Sequence, residues 1–364
     1  MTTIDRFPAV SPAAGVSNPG HGDLYTAHMY SVLWTEELGW HQAELTPLRN
    51  LSLHPGTVGL HYGQNIFEGI KAHRQADGSM AVFRPRENAR RFQRSARRLA
   101  MPEMPEELFM EAIDHLVGAD QDWLGDNLDH SLYLRPLLFA TDTSLMLRPS
   151  PSFRFLLMAF VAGGFFGDAV ESVSVLVNRE YSRAMPGGTG DVKVAGNYAP
   201  SFIAQRMAHE AGCAQVVWLD AVERRWVEEM GGMNLFFVRG SGPGAEVVTP
   251  KLTGTLLPGV TRDALLTLAG RLGYTVREEQ ISVDQWREEC EQGVITEVFA
   301  CGTAAVVTPV SRVVDGDGGW TIGAGRPGEV TMAVRQALFD AQHGVTPDES
   351  GWLHPIAASA AAHG

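Results

Sequence analysis

Only three lysines occur among the 364 residues, Lys71, Lys193 and Lys251, against 26 arginines. Arginine stays protonated and delocalised, so condensation of an amine with an aldehyde has only these three places to happen. Lys193 stands between two valines in Gly187-Gly188-Thr189-Gly190-Asp191-Val192-Lys193-Val194-Ala195-Gly196-Asn197-Tyr198. Apolar flanks keep water from an amine and leave it the better nucleophile. The same pattern describes an ordinary strand lysine whose amine snorkels to solvent. Lys71, among Glu68, His73 and Arg74, reads as part of a solvated edge, and Lys251 follows Thr249-Pro250 in a loop.

Three further motifs could meet an anionic, nitrogenous ligand. Leu257-Pro258-Gly259-Val260-Thr261-Arg262-Asp263 runs directly into a helix, so the backbone N–H groups of Val260 and Thr261 are free to face a phosphate, as an ordinary helix start also leaves them. Gly302-Thr303-Ala304-Ala305 is a second turn of small residues. Glu228-Glu229-Met230-Gly231-Gly232 places two carboxylates at a strand end, and alternation turns one of them inward, where it needs a cationic partner. Arg90, Arg91, Arg94, Arg97 and Arg98 crowd one helix, and the stripe Ala89, Phe92, Ala96, Leu99 leaves Arg91 on the side read as solvated.

These groups need a frame. Strands are expected at 24–34, 40–47, 61–73, 80–84, 131–138 and 153–161, with helices at 86–99 and 106–116. After the glycine-rich run 163–168, strands at 173–177, 215–219, 226–229, 233–238, 246–249, 274–278 and 298–300 alternate with helices. The helices are at 200–211, 261–272, 283–291 and 330–343, the third opened by a capping box from Ser282 to Gln285. The class is α+β, with an arm at 1–22, a small domain at 23–162, a linker at 163–170 and a larger domain at 171–364. A net charge of −13, from 29 basic and 42 acidic residues, argues against nucleic acid or an anionic membrane as partner. The longest uncharged apolar run, Phe155 to Phe166, is twelve residues and too short to span a bilayer. No leader is legible before residue 20. Three cysteines, Cys213, Cys290 and Cys301, in no metal-like spacing suit a reducing cytoplasm, and no metal site is expected.

Taken together, the segments resemble the branched-chain amino acid aminotransferases, fold-type IV enzymes dependent on pyridoxal 5'-phosphate. The resemblance rests on an ordered set: His61-Tyr62-Gly63-Gln64-Asn65-Ile66-Phe67-Glu68-Gly69, Ser131-Leu132-Tyr133-Leu134-Arg135-Pro136, Lys193 with Gly196-Asn197-Tyr198, Glu229 with Met233-Asn234, and the two small-residue turns. It implies a catalytic Lys193 that binds the cofactor covalently, Glu229 at the pyridine nitrogen and Tyr198 at the phenolic oxygen. Arg91, Val260, Thr261 and Thr303 hold the phosphate, against the periodicity reading of Arg91. The implied substrate pocket consists of Tyr25, Tyr62, Phe67, Tyr133, Arg135, Leu147, Phe165 and Ala304. There Tyr133 and the amides of Thr303 and Ala304 hold the α-carboxylate, and Arg135 the distal carboxylate of glutamate. The implied reaction exchanges the amino group of leucine, isoleucine or valine with 2-oxoglutarate, in a homodimer whose sites include residues from the neighbouring small domain.

Phe165 stands where some relatives have tyrosine, Gly232 where threonine is frequent, and Ala305 and Thr308 where animal relatives carry a redox-sensitive cysteine pair. D-amino-acid aminotransferases and an aminodeoxychorismate lyase share the fold type, and a phosphate-ligand-binding protein without chemistry is the reading outside enzymes. Arg135 beside an aromatic, apolar lining favours the branched-chain enzymes.

Overall fold

The computed structural model describes residues 19–163 and 170–357. An eight-stranded antiparallel sheet dominates the N-terminal half. Its strands run in the order Leu353–Ile356, Met80–Phe83, Ile70–Arg74, Ser131–Ala140, Ser152–Ala162, Tyr25–Thr35, Gly39–Pro47, with Asn65–Phe67 paired to Ser131–Ala140. Long runs such as Phe153–Ala162 bury both their faces in part, because the helices Pro85–Arg98 and Glu106–Asp120 cover one side. Phe92, Phe109 and Phe155, each 0–1% exposed, meet between helices and sheet.

The second half is a mixed nine-stranded sheet. Six of its strands, Val227–Met230, Gln215–Leu219, Val173–Val177, Val306–Asp315, Ile295–Gly302 and Met233–Arg239, close into a ring because the first also pairs with the last across the turn Gly231-Gly232. Closure fixes the carboxylates at 228 and 229 relative to the strand ends around them. The capping box at Ser282 forms as expected on one side, Ser282 Oγ accepting from the Gln285 N–H at 3.1 Å, while the Gln285 side chain turns to Glu289.

Three expectations need correction. The segment 61–73 is not one strand: a short helix Val58–His61 ends at Tyr62, Gly63 takes the left-handed conformation (φ 63°), and two strands, Asn65–Phe67 and Ile70–Arg74, are separated by Glu68-Gly69. Strands at Val306–Asp315 and Gly318–Thr321 were not expected. The last strand among the described residues, Leu353–Ile356, crosses back to pair with Met80–Phe83 in the first sheet, so sequence order and sheet membership part there. The expected linker lies mostly outside the described residues, as does the arm before residue 19.

Candidate active site

Between the two sheets lies a cleft of about 490 Å³. Lys193 reaches it from a segment pinned on both sides of its peptide: its N–H donates to Ser95 Oγ (2.9 Å) and its carbonyl accepts from the Phe67 N–H (3.1 Å). The flanking Val192 and Val194, 5% and 3% exposed, point away into the core of the first sheet. The segment is irregular backbone with one bridge from Val194 to Ile66, not a strand, and the valines anchor it rather than blanket the amine. Lys193 Nζ donates to Tyr198 Oη at 2.9 Å and lies 5.0 Å from the centre of the Phe67 ring.

At one end of the cleft the helix Val260–Arg271 begins without a side-chain cap, leaving the amides of Val260 and Thr261 at the lining. Arg91 faces them and is buried, 3% exposed, which corrects the periodicity reading. Its helix is covered twice, by the first sheet under Phe92 and Ala96 and by the segment around Lys193 over Ser95, whereas Arg90, Arg94, Arg97 and Arg98 are exposed as expected. Glu68 holds the guanidinium in a two-pronged pair, Nε and Nη2 each 2.7 Å from a carboxylate oxygen, and Nη1 donates to the Pro258 carbonyl at 3.2 Å. Two of the five guanidinium N–H groups stay uncommitted by these bonds.

Burial alone would raise the Glu68 carboxyl, but the charge and hydrogen bonds of Arg91 outweigh it and hold it below the usual carboxylate range. Sequence reasoning placed Glu68 and Lys71 on a solvated edge. Both are buried: Lys71 because the strand Ile70–Arg74 is interior, with a neighbour on each side, and Glu68 because Asn88 and Arg91 of the helix Pro85–Arg98 close over it.

The other end is built from Phe67, Tyr133, Arg135, His21 and the turn Gly302 to Ala305, which brings Thr303 and Ala304 to the lining. Tyr133 stacks on Phe160 at 4.8 Å, and the Arg135 guanidinium lies 5.1 Å from the Phe67 ring. Gly69 is required here: a Cβ at that position would stand 2.0 Å from Tyr133 Oη. This end is electropositive. Burial, then the charges of Lys71 and Arg135, push His21 down to about 4, and burial lowers Lys71 itself to about 8.

Glu229 lies one layer behind the lining, 1% exposed. Oε1 accepts from the Leu257 N–H at 2.6 Å, and Oε2 is 3.0 Å from Arg183 Nε. Burial pushes its carboxyl above the usual value, against the opposing pull of Arg183 and the Leu257 N–H. Glu228 turns to the other side of the strand, where Thr255 Oγ donates to it.

Of the expected pocket residues, Phe67, Tyr133, Arg135 and Ala304 line the cleft, and Tyr25 stands behind it, its ring centre 5.9 Å from that of Phe160. Tyr62 and Leu147 do not reach this cleft. They sit together on another surface, 48% and 90% exposed, because the turn at Gly63 carries Tyr62 outward to donate to the Leu145 carbonyl at 2.8 Å. Phe165 lies outside the described residues. Sequence reasoning missed Glu68, His21 and Arg183. Glu68 stood inside a quoted motif with no role given to it, His21 lies between two glycines with no pattern around it, and Arg183 sits in irregular backbone without periodicity.

A lysine amine and a helix start with free amides at one cleft beside the closed ring of strands, with a buried carboxylate one layer behind, form the frame of an enzyme that works on amines. The family model for class IV amino-transferases matches residues 65–313. The chain is 54% identical over 339 residues to the branched-chain-amino-acid aminotransferase of Mycolicibacterium smegmatis, covering 93% of this chain and 92% of that one. It is 50% identical over 362 residues to the probable branched-chain-amino-acid aminotransferase of Streptomyces coelicolor, covering 98% and 99%. Among solved structures, the branched-chain amino acid aminotransferase from Escherichia coli superposes with a TM-score of 0.74 at 31% identity, over 90% of this chain and 98% of that one. The chain belongs to the class IV aminotransferase family, and its α+β architecture is that of fold-type IV.

Proposed function

We propose that this chain is a branched-chain amino acid aminotransferase: with pyridoxal phosphate it exchanges the α-amino group of leucine, isoleucine or valine with 2-oxoglutarate, giving the branched 2-oxo acid and glutamate. The observation that carries the reading is Lys193 Nζ, 2.9 Å from Tyr198 Oη, in one cleft with Arg91 and the uncapped helix start. Relatives over nearly the whole chain bear that activity in their names, and one related structure holds N-(5'-phosphopyridoxyl)-L-glutamate.

The residues present fit the cofactor. An amine stands ready for its aldehyde, two free amides and the spare N–H groups of Arg91 for its phosphate, and the Tyr198 hydroxyl for its phenolic oxygen. Thr303 adds a hydroxyl at the lining, and Glu229 supplies a carboxylate for the ring nitrogen. Bound there, pyridoxal phosphate supplies the electron sink that stabilises negative charge at Cα. Lys193 would hold the cofactor through its aldehyde, and its amine, when free, would be the group placed to move the proton at Cα. Glu229 keeps the ring nitrogen protonated. Tyr133 and the amides of Thr303 and Ala304 hold the α-carboxylate, and Phe67 packs against aliphatic side chains. Arg135 receives the second carboxylate of glutamate.

The assembly we propose is a homodimer in which Tyr62 and Leu147 complete the neighbour's cleft. The two sheets support a small domain and a larger cofactor-holding one joined at 163–170. Three free thiols support a cytoplasmic setting. No helix among the described residues is long and apolar enough to cross a membrane. Borohydride reduction of the pyridoxal phosphate-loaded protein, followed by peptide mapping, tests the reading. The pyridoxyl group is expected on Lys193, and label on Lys71 or Lys251 would reject the site.

A further inference from the structure

Glu229 poses an electrostatic problem. It is 1% exposed and its strand neighbour Glu228 is 4% exposed, so two adjacent carboxylates are removed from water. A buried carboxylate without a cation takes up a proton instead. Among the described residues the only cation within ion-pair distance of Glu229 is Arg183, whose side chain is 5% exposed.

Arg183 is itself held rigidly. Its Nη2 donates to the carbonyls of Gly190 (3.0 Å) and Thr255 (2.5 Å), tying the segment before Lys193 to the segment before Leu257. Its Nε then falls 3.0 Å from Glu229 Oε2, while the Leu257 N–H takes Oε1 at 2.6 Å. One carboxylate oxygen is thus held by a hydrogen bond, and the other rests against the anchored guanidinium in an ion pair without one.

We propose that Arg183 is a positioning residue for transamination: it keeps Glu229 ionised and holds its carboxylate in the orientation that meets the ring nitrogen. This rests on the aminotransferase reading above. Burial already drives Glu229 toward its neutral form with Arg183 in place, so removing the guanidinium leaves an acid that cannot hold a proton on the ring nitrogen opposite. A merely structural Arg183 would act only as a staple between two loops.

The test uses the full chain reconstituted with pyridoxal phosphate carrying ¹⁵N in the ring, and reads the nitrogen resonance directly. In the unmutated protein it is expected at the protonated position. Arg183→Gln is expected to move it to the unprotonated position, as Glu229→Gln does, and to lower kcat by about tenfold or more. KM for leucine should change little. Arg183→Lys keeps the charge but loses the Nη2 bonds to the Gly190 and Thr255 carbonyls, and is expected to return the protonated signal while melting at a lower temperature. A protonated resonance in folded Arg183→Gln would overturn the proposal. Should that variant not fold, an unprotonated resonance in folded Arg183→Lys would overturn it equally. An unmutated protein that takes up no pyridoxal phosphate or whose own ring nitrogen is unprotonated refutes the underlying reading instead, and removes the proposal with it.

Discussion

Two buried carboxylates, Glu68 and Glu229, show how neighbours decide what an acid does. Glu68 gives both oxygens to Arg91 and is held ionised, so its work is to aim a guanidinium. Glu229 shares its cation at one edge and keeps capacity for a second partner. Glu229→Gln should leave cofactor bound but slow transamination by orders of magnitude, because an amide cannot stabilise a protonated ring nitrogen. Near-normal turnover in stopped-flow absorbance would pass that role to another group. Arg135 makes a different demand on the same site. A leucine side chain gains about 0.8 kcal/mol per buried methylene, whereas the second carboxylate of glutamate is intolerable there without a cation. Arg135→Met should therefore impair the 2-oxoglutarate half-reaction far more than the leucine half-reaction, measured separately. Equal damage would mean that Arg135 organises the pocket generally.

The strand Ile70–Arg74 carries an ionisable residue that costs stability. Lys71 is 6% exposed, its Nζ 3.4 Å from the Ala304 carbonyl, and burial brings it to about 8. The free amine lies near 10.4, so below about pH 8 the native state bears the whole penalty, of order 3 kcal/mol. Between pH 8 and 10.4 the unfolded chain holds a proton that the native chain has released, and stability rises with pH. Lys71→Met should accordingly be more stable at pH 7, by about 2–4 kcal/mol in denaturant melts, with the gap closing toward pH 10. A gap independent of pH would show that packing, not charge, is responsible. This strand also marks what pattern reading can reach. Helices such as Val283–Glu291 were legible because a capping residue and apolar spacing agree locally. Lys193 was legible through its motif. The burial of Glu68 and Lys71 was not, because it is imposed by strands and a helix distant in sequence, and a window of polar residues looks the same whether its partners are water or Arg91. Arg183 escaped for the same reason: its meaning lies in Glu229, forty-six positions away.

At the scale of the whole molecule, the surface holding Tyr62 and Leu147 is the feature the chain leaves unfinished. Leu60, Tyr62, Leu145, Met146 and Leu147 are 63%, 48%, 50%, 64% and 90% exposed, and the bond from Tyr62 Oη to the Leu145 carbonyl joins the two segments that carry them. Apolar side chains grouped this way rarely stay in water, and a stable contact between copies covers roughly 1,200–2,000 Å² in total. A second copy seated on this surface would cover the patch and give Tyr62 and Leu147 a cleft to enter, since their own lies elsewhere. Sedimentation of the loaded protein should therefore show a dimer at micromolar concentration. Leu147→Asp places a charge where the contact must be dry, and should yield a monomer that still takes up pyridoxal phosphate, because Lys193, Arg91 and the helix start at Val260 belong to one chain. Its transamination of leucine should fall much more than its cofactor affinity, as the missing wall of the substrate pocket would come from the lost partner. A fully active monomer, whether unmutated or carrying Leu147→Asp, would show that one chain completes its own site.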